Sequence, residues 1–201
     1  MNGTVHVADA AALQAQTDAT TAYNFLAGQA CGTTVSGDLG GRILTPGVYC
    51  FASSAQLTGP VTLDAQGNTA AVFIFQIGST LTTASGASVL LANGAQACNV
   101  WWQVGSSATL GTTTTFAGTV VALASATLGT GATIVGRAIA RTGAVTMDAN
   151  TVSASACAGG PVVPGGPTGT QAIPTLSEWA MLLLTGLVAL AAIGVMRRQG
   201  R

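Results

Sequence analysis

The sequence predicts a mainly β protein of short stacked coils, with one helix near its start and a separate apolar helix at its end. Three observations carry this. A small/apolar–Thr–large apolar triplet recurs five times between residues 61 and 147. From Cys31 to the tail, short alternating segments are broken by Gly, Asn and Asp, and no further stretch has helical periodicity. Charge is scarce: the 201 residues hold six Arg, six Asp or Glu and no Lys, 6% in all, against about 25% in an ordinary soluble domain.

The first element is a helix over residues 8–27, where Ala, Leu and Gln are frequent. Ala12, Ala15, Ala19, Ala22, Tyr23 and Leu26 fall near one face at spacings of three and four. Asp9 suits its N-terminus and Gly28 its end.

Strand candidates follow at 48–52, 57–63, 71–77, 88–91, 99–104 and 115–121. The triplets are Val61-Thr62-Leu63, Ser79-Thr80-Leu81, Ala108-Thr109-Leu110, Ala126-Thr127-Leu128 and Val145-Thr146-Met147. Their threonines are 18, 29, 18 and 19 residues apart. A second block trails the later ones: Ser88-Val89, Thr115-Phe116, Thr133-Ile134 and Thr151-Val152. Periods near 20 that recur as strands mark a β-solenoid, in which each coil buries its inward side chains on the next. The step of 29 requires one long coil, with 99–104 (NVWWQV) inside the insertion.

Alternation then places Leu63, Leu81, Leu110, Leu128 and Met147 inward. Thr62, Thr80, Thr109, Thr127 and Thr146 form an outward ladder, and Thr83, Thr112 and Thr130 a second file. The plainer alternative is that threonine suits strands and covers an uncharged surface.

Cys31, Cys50, Cys98 and Cys157 contain no CxxC pair, and the only histidine is His6, so no metal site is expected. An even cysteine count in a low-charge chain points to an oxidising compartment. Three pairings are possible. Sequence proximity favours Cys31 with Cys50 and Cys98 with Cys157, each stabilising by roughly 3–4 kcal/mol. Four buried thiols are the other possibility.

Zero net charge without lysine excludes a nucleic-acid binder, and 49% hydrophobic content excludes a charge-rich disordered chain. Asp9, Asp18, Asp38, Asp64 and Asp148 are far apart, and His6 has no obvious nucleophile to serve, so neither an enzyme nor a cofactor is expected. Glycine-rich 37–41 precedes no helix and is not a phosphate cradle. Trp101-Trp102 suits a carbohydrate platform, although alternation more simply buries one ring and exposes the other.

The tail is a separate device. Residues 179–196 are eighteen uncharged, mostly apolar residues followed by Arg197, Arg198 and Arg201. This predicts a transmembrane helix with its end in the cytoplasm and the body across the membrane. Residues 159–172 form a Gly/Pro linker. The string Ile173-Pro174-Thr175-Leu176-Ser177-Glu178-Trp179, then the apolar stretch, then arginines, resembles the IPTL-CTERM sorting signal of Gram-negative bacteria, a relative of PEP-CTERM. That resemblance implies export, transient inner-membrane anchoring and processing by an exosortase-type enzyme.

Residues 1–158 form the body. NGTVHVADA (2–10), LQAQTDATTAYN (13–24), GDLGG (37–41), LTPGVYCF (44–51), VFIFQIGSTLTTASG (72–86), NGAQACNVWWQVGSSATLGTTTTFAG (93–118) and GATIVGRAIARTGAVTMD (131–148) occur in order and resemble the microbial ice-binding-protein domain. The resemblance implies a discontinuous right-handed β-solenoid of triangular cross-section, one long helix packed alongside. It also implies strands and a signal peptide ahead of residue 2, so a longer gene product or a shortened copy is expected.

The implied partner is the surface of an ice crystal. Stacked strands repeat at about 4.8 Å and alternate residues at about 6.7 Å, near the oxygen spacings of ice planes. Threonine offers a methyl and a hydroxyl without the entropy loss of long charged side chains. Adsorption through a flat Thr face would inhibit ice growth and recrystallisation. A cell-surface adhesin or matrix protein binding carbohydrate or other cells is the alternative.

Overall fold

The computed structural model describes residues 5–154 and 157. The described residues all fall within one unit, Met1–Gly160. The expected linker, sorting string and apolar helix lie outside the described residues. Among the described residues no helix is long and apolar enough to cross a membrane.

This unit is mainly β, with parallel strands and one helix, α1 (Ala10–Ala27). Asp9 caps α1 by accepting the Ala12 N–H at 2.9 Å, and the Gly28 N–H bonds the Asn24 carbonyl at its end. The fifteen strands form three rows. The first holds β1 (Thr33–Thr34), β3 (Gly47–Phe51), β6 (Phe73–Ile77), β9 (Val100–Val104) and the second halves of β11 (Thr115–Ala122) and β13 (Thr133–Ala140). The second holds β4 (Ala55–Leu57), β7 (Leu81–Thr83), β10 (Ala108–Leu110), β12 (Ala126–Leu128) and β14 (Val145–Thr146). The third holds β2 (Ile43–Leu44), β5 (Pro60–Asp64), β8 (Ser88–Ala92), the first halves of β11 and β13, and β15 (Thr151–Ser153). In every row each strand pairs with that of the next coil, so stacking follows chain order.

The early and late coils turn differently between the third row and the first. Early coils use loops of several residues, with positive φ at Gln66, Gly67, Asn93 and Gly94. Late coils run one eight-residue strand through the corner, bending at Gly118 (φ 113°) and Gly136 (φ 146°). The loops at 65–72 and 93–99 account for the longer early coils. NVWWQV, expected inside an insertion, is instead the regular strand β9.

Inward side chains fill the stack. Tyr49, Phe75 and Trp102 form an aromatic file with centroid separations of 5.4 and 3.8 Å, and Phe116 closes on Trp102 at 5.0 Å. Leu63, Leu81, Leu110 and Leu128 are buried as expected. Met147 is not: it is 53% exposed, because it lies just past β14, the end strand of its sheet.

The outward side of the first row carries α1. Leu26 packs with Ile74 and Val121, while Tyr23, Val48, Trp101 and Ile139 close around them. Gln76 Nε2 donates to the Leu26 and Gln29 carbonyls, both at 2.8 Å. The Arg141 guanidinium lies 4.6 Å from the Tyr23 ring centroid and donates to Thr20 Oγ1. Of the expected helix face, Ala19 and Leu26 are buried and Ala15 is exposed.

Cys31–Cys50 and Cys98–Cys157 are disulfide-bonded, and none of the four is free. The first ties the α1–β1 connection to β3. The second ties Cys157 to the turn that opens β9.

Candidate functional site

With α1 on the first row, the second and third rows present their outward sides to solvent. In the second row Thr82, Thr109, Thr127 and Thr146 lie in direct register, and Gln56 extends the file by one coil. All five are exposed. Their side chains make no hydrogen bond among the described residues, which leaves the four threonine hydroxyls to water.

Two edge files flank this one. Ser54, Thr80, Ser107 and Ser125 are linked by backbone bonds of 2.9–3.1 Å and by Thr80 Oγ1 donating to Ser54 Oγ at 2.8 Å. On the other edge Thr112 Oγ1 donates to Ser85 Oγ at 2.8 Å and Thr130 Oγ1 to Asp148 Oδ2 at 2.6 Å. Thr109 with Thr112, and Thr127 with Thr130, thus repeat one Thr-x-x-Thr unit on adjacent coils.

The expected ladder needs three corrections. Thr62 belongs to the third row, paired with Ile43 and Leu90. Thr80 is on the second row but in the edge file. The register places Thr82 beside Thr109, so the ladder step is 27 residues and not 29. Thr83 points inward at 3% exposure, where its hydroxyl meets Thr114 Oγ1 at 2.9 Å and accepts the Gly111 N–H. Ser85 takes its place in the second file. Thr109, Thr127 and Thr146 are exposed on the second row, and Thr112 and Thr130 are exposed at its edge. A signal for Thr82 was present: if Leu81 is inward, alternation turns Thr82 outward as surely as Thr80.

Charge is confined to the margins of the row. Asp38 bridges to Gln56 beyond the first full coil. Burial alone would raise its carboxyl pKa, but the Thr58 hydroxyl and the N–H groups of Gly40 and Thr58 outweigh that and hold it below the ordinary value. Asp148 marks the other margin through Thr130.

The carboxylates among the described residues are spread apart and bonded locally. Asp9 caps α1 and bonds His6, both exposed. Asp18 takes Gln14, and Asp64 takes the Gln66 N–H and the Asn93 amide. No group of three His, Cys, Asp or Glu side chains among the described residues is placed to hold a metal. Trp102 is fully buried, its indole N–H on the Ala117 carbonyl, and Trp101 is half-buried beside α1, so neither ring stands free as a sugar platform.

What the second row offers is a regular set of unbonded hydroxyls and methyls. They repeat at roughly the 4.8 Å strand spacing, on a backbone fixed by coil-to-coil hydrogen bonds.

Comparison with known proteins places the chain in a family. Residues 1–153 match the family model described as Ice-binding-like, and residues 171–199 match the IPTL-CTERM motif. An ice-binding protein of Nostoc sp. (strain HG1) is 57% identical over 159 residues, which span 78% of this chain and 58% of that protein. Ice-binding protein 1 of Shewanella frigidimarina is 43% identical over 146 residues, 70% of this chain and 16% of its own length. This chain therefore spans less than two thirds of either relative. The crystal structure of an ice binding protein from an Antarctic biological consortium superposes with a TM-score of 0.74 at 55% identity, covering 75% of this chain and 70% of that one.

Proposed function

Because this chain belongs to the Ice-binding-like family, we propose that it adsorbs to ice through the outward side of its second row and inhibits ice growth and recrystallisation. The observation that carries this is the file Thr82–Thr109–Thr127–Thr146. These are four exposed hydroxyls in register with no hydrogen-bond partner among the described residues, and the file carries no charge.

Such a file acts without covalent chemistry. Each methyl resists hydration while each hydroxyl joins a water layer held at the coil spacing. That layer matches ice more closely than the hydration shell of a charged group. The relatives' names speak of ice binding, and the same reading extends to this chain. The finer architecture it takes is a right-handed, discontinuous solenoid of triangular cross-section.

The IPTL-CTERM match supports export and display at the cell surface. In this reading residues 179–196 cross the inner membrane transiently, and an exosortase-type enzyme processes the signal at Ile173–Trp179.

The test is thermal hysteresis and ice recrystallisation with the full chain and with Thr109→Tyr/Thr127→Tyr. The wild type should be active and the variant should lose most of that activity with its fold intact. A folded wild type with no activity overturns the reading.

A further inference from the structure

Two tight turns are stacked at the corner between the third row and the first. In one, Gln66 and Gly67 hold φ of 54° and 83°, and in the next coil Asn93 and Gly94 hold 49° and 90°. The Ala95 N–H closes the second turn on the Ala92 carbonyl at 3.0 Å, and the Gly67 N–H ties the first turn to the Asn93 carbonyl at 2.8 Å. These bonds leave the Gly94 N–H without an acceptor among the described residues. Asn93 and Gly94 are exposed, and the Asn93 amide makes one bond, Nδ2 donating to Asp64 Oδ1 at 2.8 Å. That carboxylate oxygen also accepts the Gln66 N–H at 2.8 Å.

An asparagine followed by glycine is a reactive pair. The glycine carries no Cβ, so its nitrogen approaches the asparagine Cγ without hindrance. The other asparagines among the described residues lack this freedom. Asn68, Asn99 and Asn150 each precede a β-branched residue, and the Asn150 amide is held by the Gly129 and Ala132 carbonyls. Asn24 lies inside α1.

We infer that Asn93 is a site of spontaneous deamidation, and that Asp64 governs its rate by holding the amide. The Gly94 nitrogen gives its proton to a solvent base and bonds to Asn93 Cγ. The Cγ–Nδ2 bond breaks, and Nδ2 takes up a proton and leaves as ammonia. Water then opens the cyclic imide at one of its two carbonyls. Opening at Cγ gives aspartate with the backbone unchanged. Opening at the backbone carbonyl gives isoaspartate, in which the main chain runs through Cβ and Cγ. Attack requires the Asn93 side chain to swing off Asp64, so the bond that orders the turn also shields it.

The product reverses the contact. A carboxylate replaces the amide donor beside Asp64, and two like charges face each other where a hydrogen bond was. The isoaspartyl form also lengthens the main chain by one methylene and draws the Asn93 carbonyl off the Gly67 N–H. The change loosens the corner between the third and first rows and leaves the threonine file of the second row in place.

The test is a peptide map of the full chain after incubation, folded, in mildly alkaline buffer, with a urea-unfolded sample alongside. In the folded chain Asn93 should convert to aspartate and isoaspartate ahead of Asn68, Asn99 and Asn150, and more slowly than it does in urea. The other Asn-Gly step, Asn2-Gly3, lies outside the described residues and is read as its own peptide. Asp64→Ala, kept below its melting temperature, should speed conversion at Asn93 about tenfold, the factor for losing one hydrogen bond to a charged group. As a mimic of the product, Asn93→Asp should melt below Asn93→Gly, which accepts the positive φ without adding a carboxylate. A folded wild type in which Asn93 outlasts Asn68 or Asn150 overturns the site. An Asp64→Ala chain that converts no faster overturns the part assigned to Asp64, and equal melts of Asn93→Asp and Asn93→Gly overturn the effect on the corner.

Discussion

Gly136 sits directly on Gly118, one coil apart and in register, so closely that a Cβ at Gly136 would lie 2.1 Å from the Gly118 carbonyl oxygen. Both residues hold positive φ where a strand bends between two rows. Gly136→Ala should therefore destabilise strongly. The backbone strain alone costs about 1–3 kcal/mol, and the clash adds to it. A thermal melt checks this: Ala at Gly41, also at positive φ but with open space around it, should cost less.

Trp102 anchors the aromatic file. It stacks on Phe75 at an interplanar angle of 7° and donates its indole N–H to the Ala117 carbonyl at 3.1 Å. Trp102→Ala should cost about 3–5 kcal/mol by denaturant titration. Trp102→Phe should recover part of that, leaving one buried carbonyl without its donor. Trp101→Ala should cost less, since Trp101 is only half-buried beside α1.

Some of this architecture was legible in the residues and some was not. The helix could be read from Asp9, Gly28 and the apolar spacing between them. The block Ser88, Thr115, Thr133 and Thr151 could be aligned because each residue opens a strand after a turn of similar length. Thr62 and Thr80 were misplaced because register is set by hydrogen bonds between coils, and a local triplet carries no information about them. Ala108-Thr109-Leu110 and Leu81-Thr82-Thr83 occupy the same place in successive coils although the large residue has changed position. The loops at 65–72 and 93–99 compound this by lengthening the early coils. Thr83 looked like a surface residue, but its hydroxyl finds a buried partner in Thr114, which only the fold brings near it.

The two disulfides close segments with sequence separations of 19 and 59 residues. On chain-entropy grounds they should contribute roughly 3 and 4 kcal/mol respectively. Reduction with a thiol should lower the melting temperature. Cys98→Ser/Cys157→Ser should lower it at least as far as Cys31→Ser/Cys50→Ser. Equal melts with and without reductant would show that neither bridge restrains the unfolded chain.

Asp38 gives the fold a definite acid sensitivity. Its folded pKa lies below the ordinary 3.8 because hydrogen bonds from Thr58 and Gly40 outweigh the cost of burial. Its contribution to stability is therefore fully present above the ordinary carboxylate range. It is lost as pH falls through the depressed folded value. Asp38→Asn should lower stability near neutral pH and flatten the acid limb of a melting-temperature profile, most visibly below about pH 4. Thr58→Val should act in the same direction, because the Thr58 hydroxyl is one of the groups that hold the carboxylate.

Thr82 and Thr83 are adjacent, yet the register gives them opposite roles and so a direct test. Thr82 faces out in line with Thr109, while the Thr83 hydroxyl is buried and accepts the Gly111 N–H at 2.9 Å. Thr82→Tyr should leave the melting temperature nearly unchanged and weaken adsorption to ice by about fivefold to tenfold, equivalent to roughly 1–1.4 kcal/mol. Thr83→Val should do the reverse, costing about 1–3 kcal/mol because a buried N–H loses its acceptor, with ice activity retained below the melt. Thr21→Tyr, on the exposed side of α1, should change neither. Thermal hysteresis measured beside a melting curve for each variant separates the outcomes. Loss of activity in the Thr83 variant with no loss in the Thr82 variant would return the ladder to a different register.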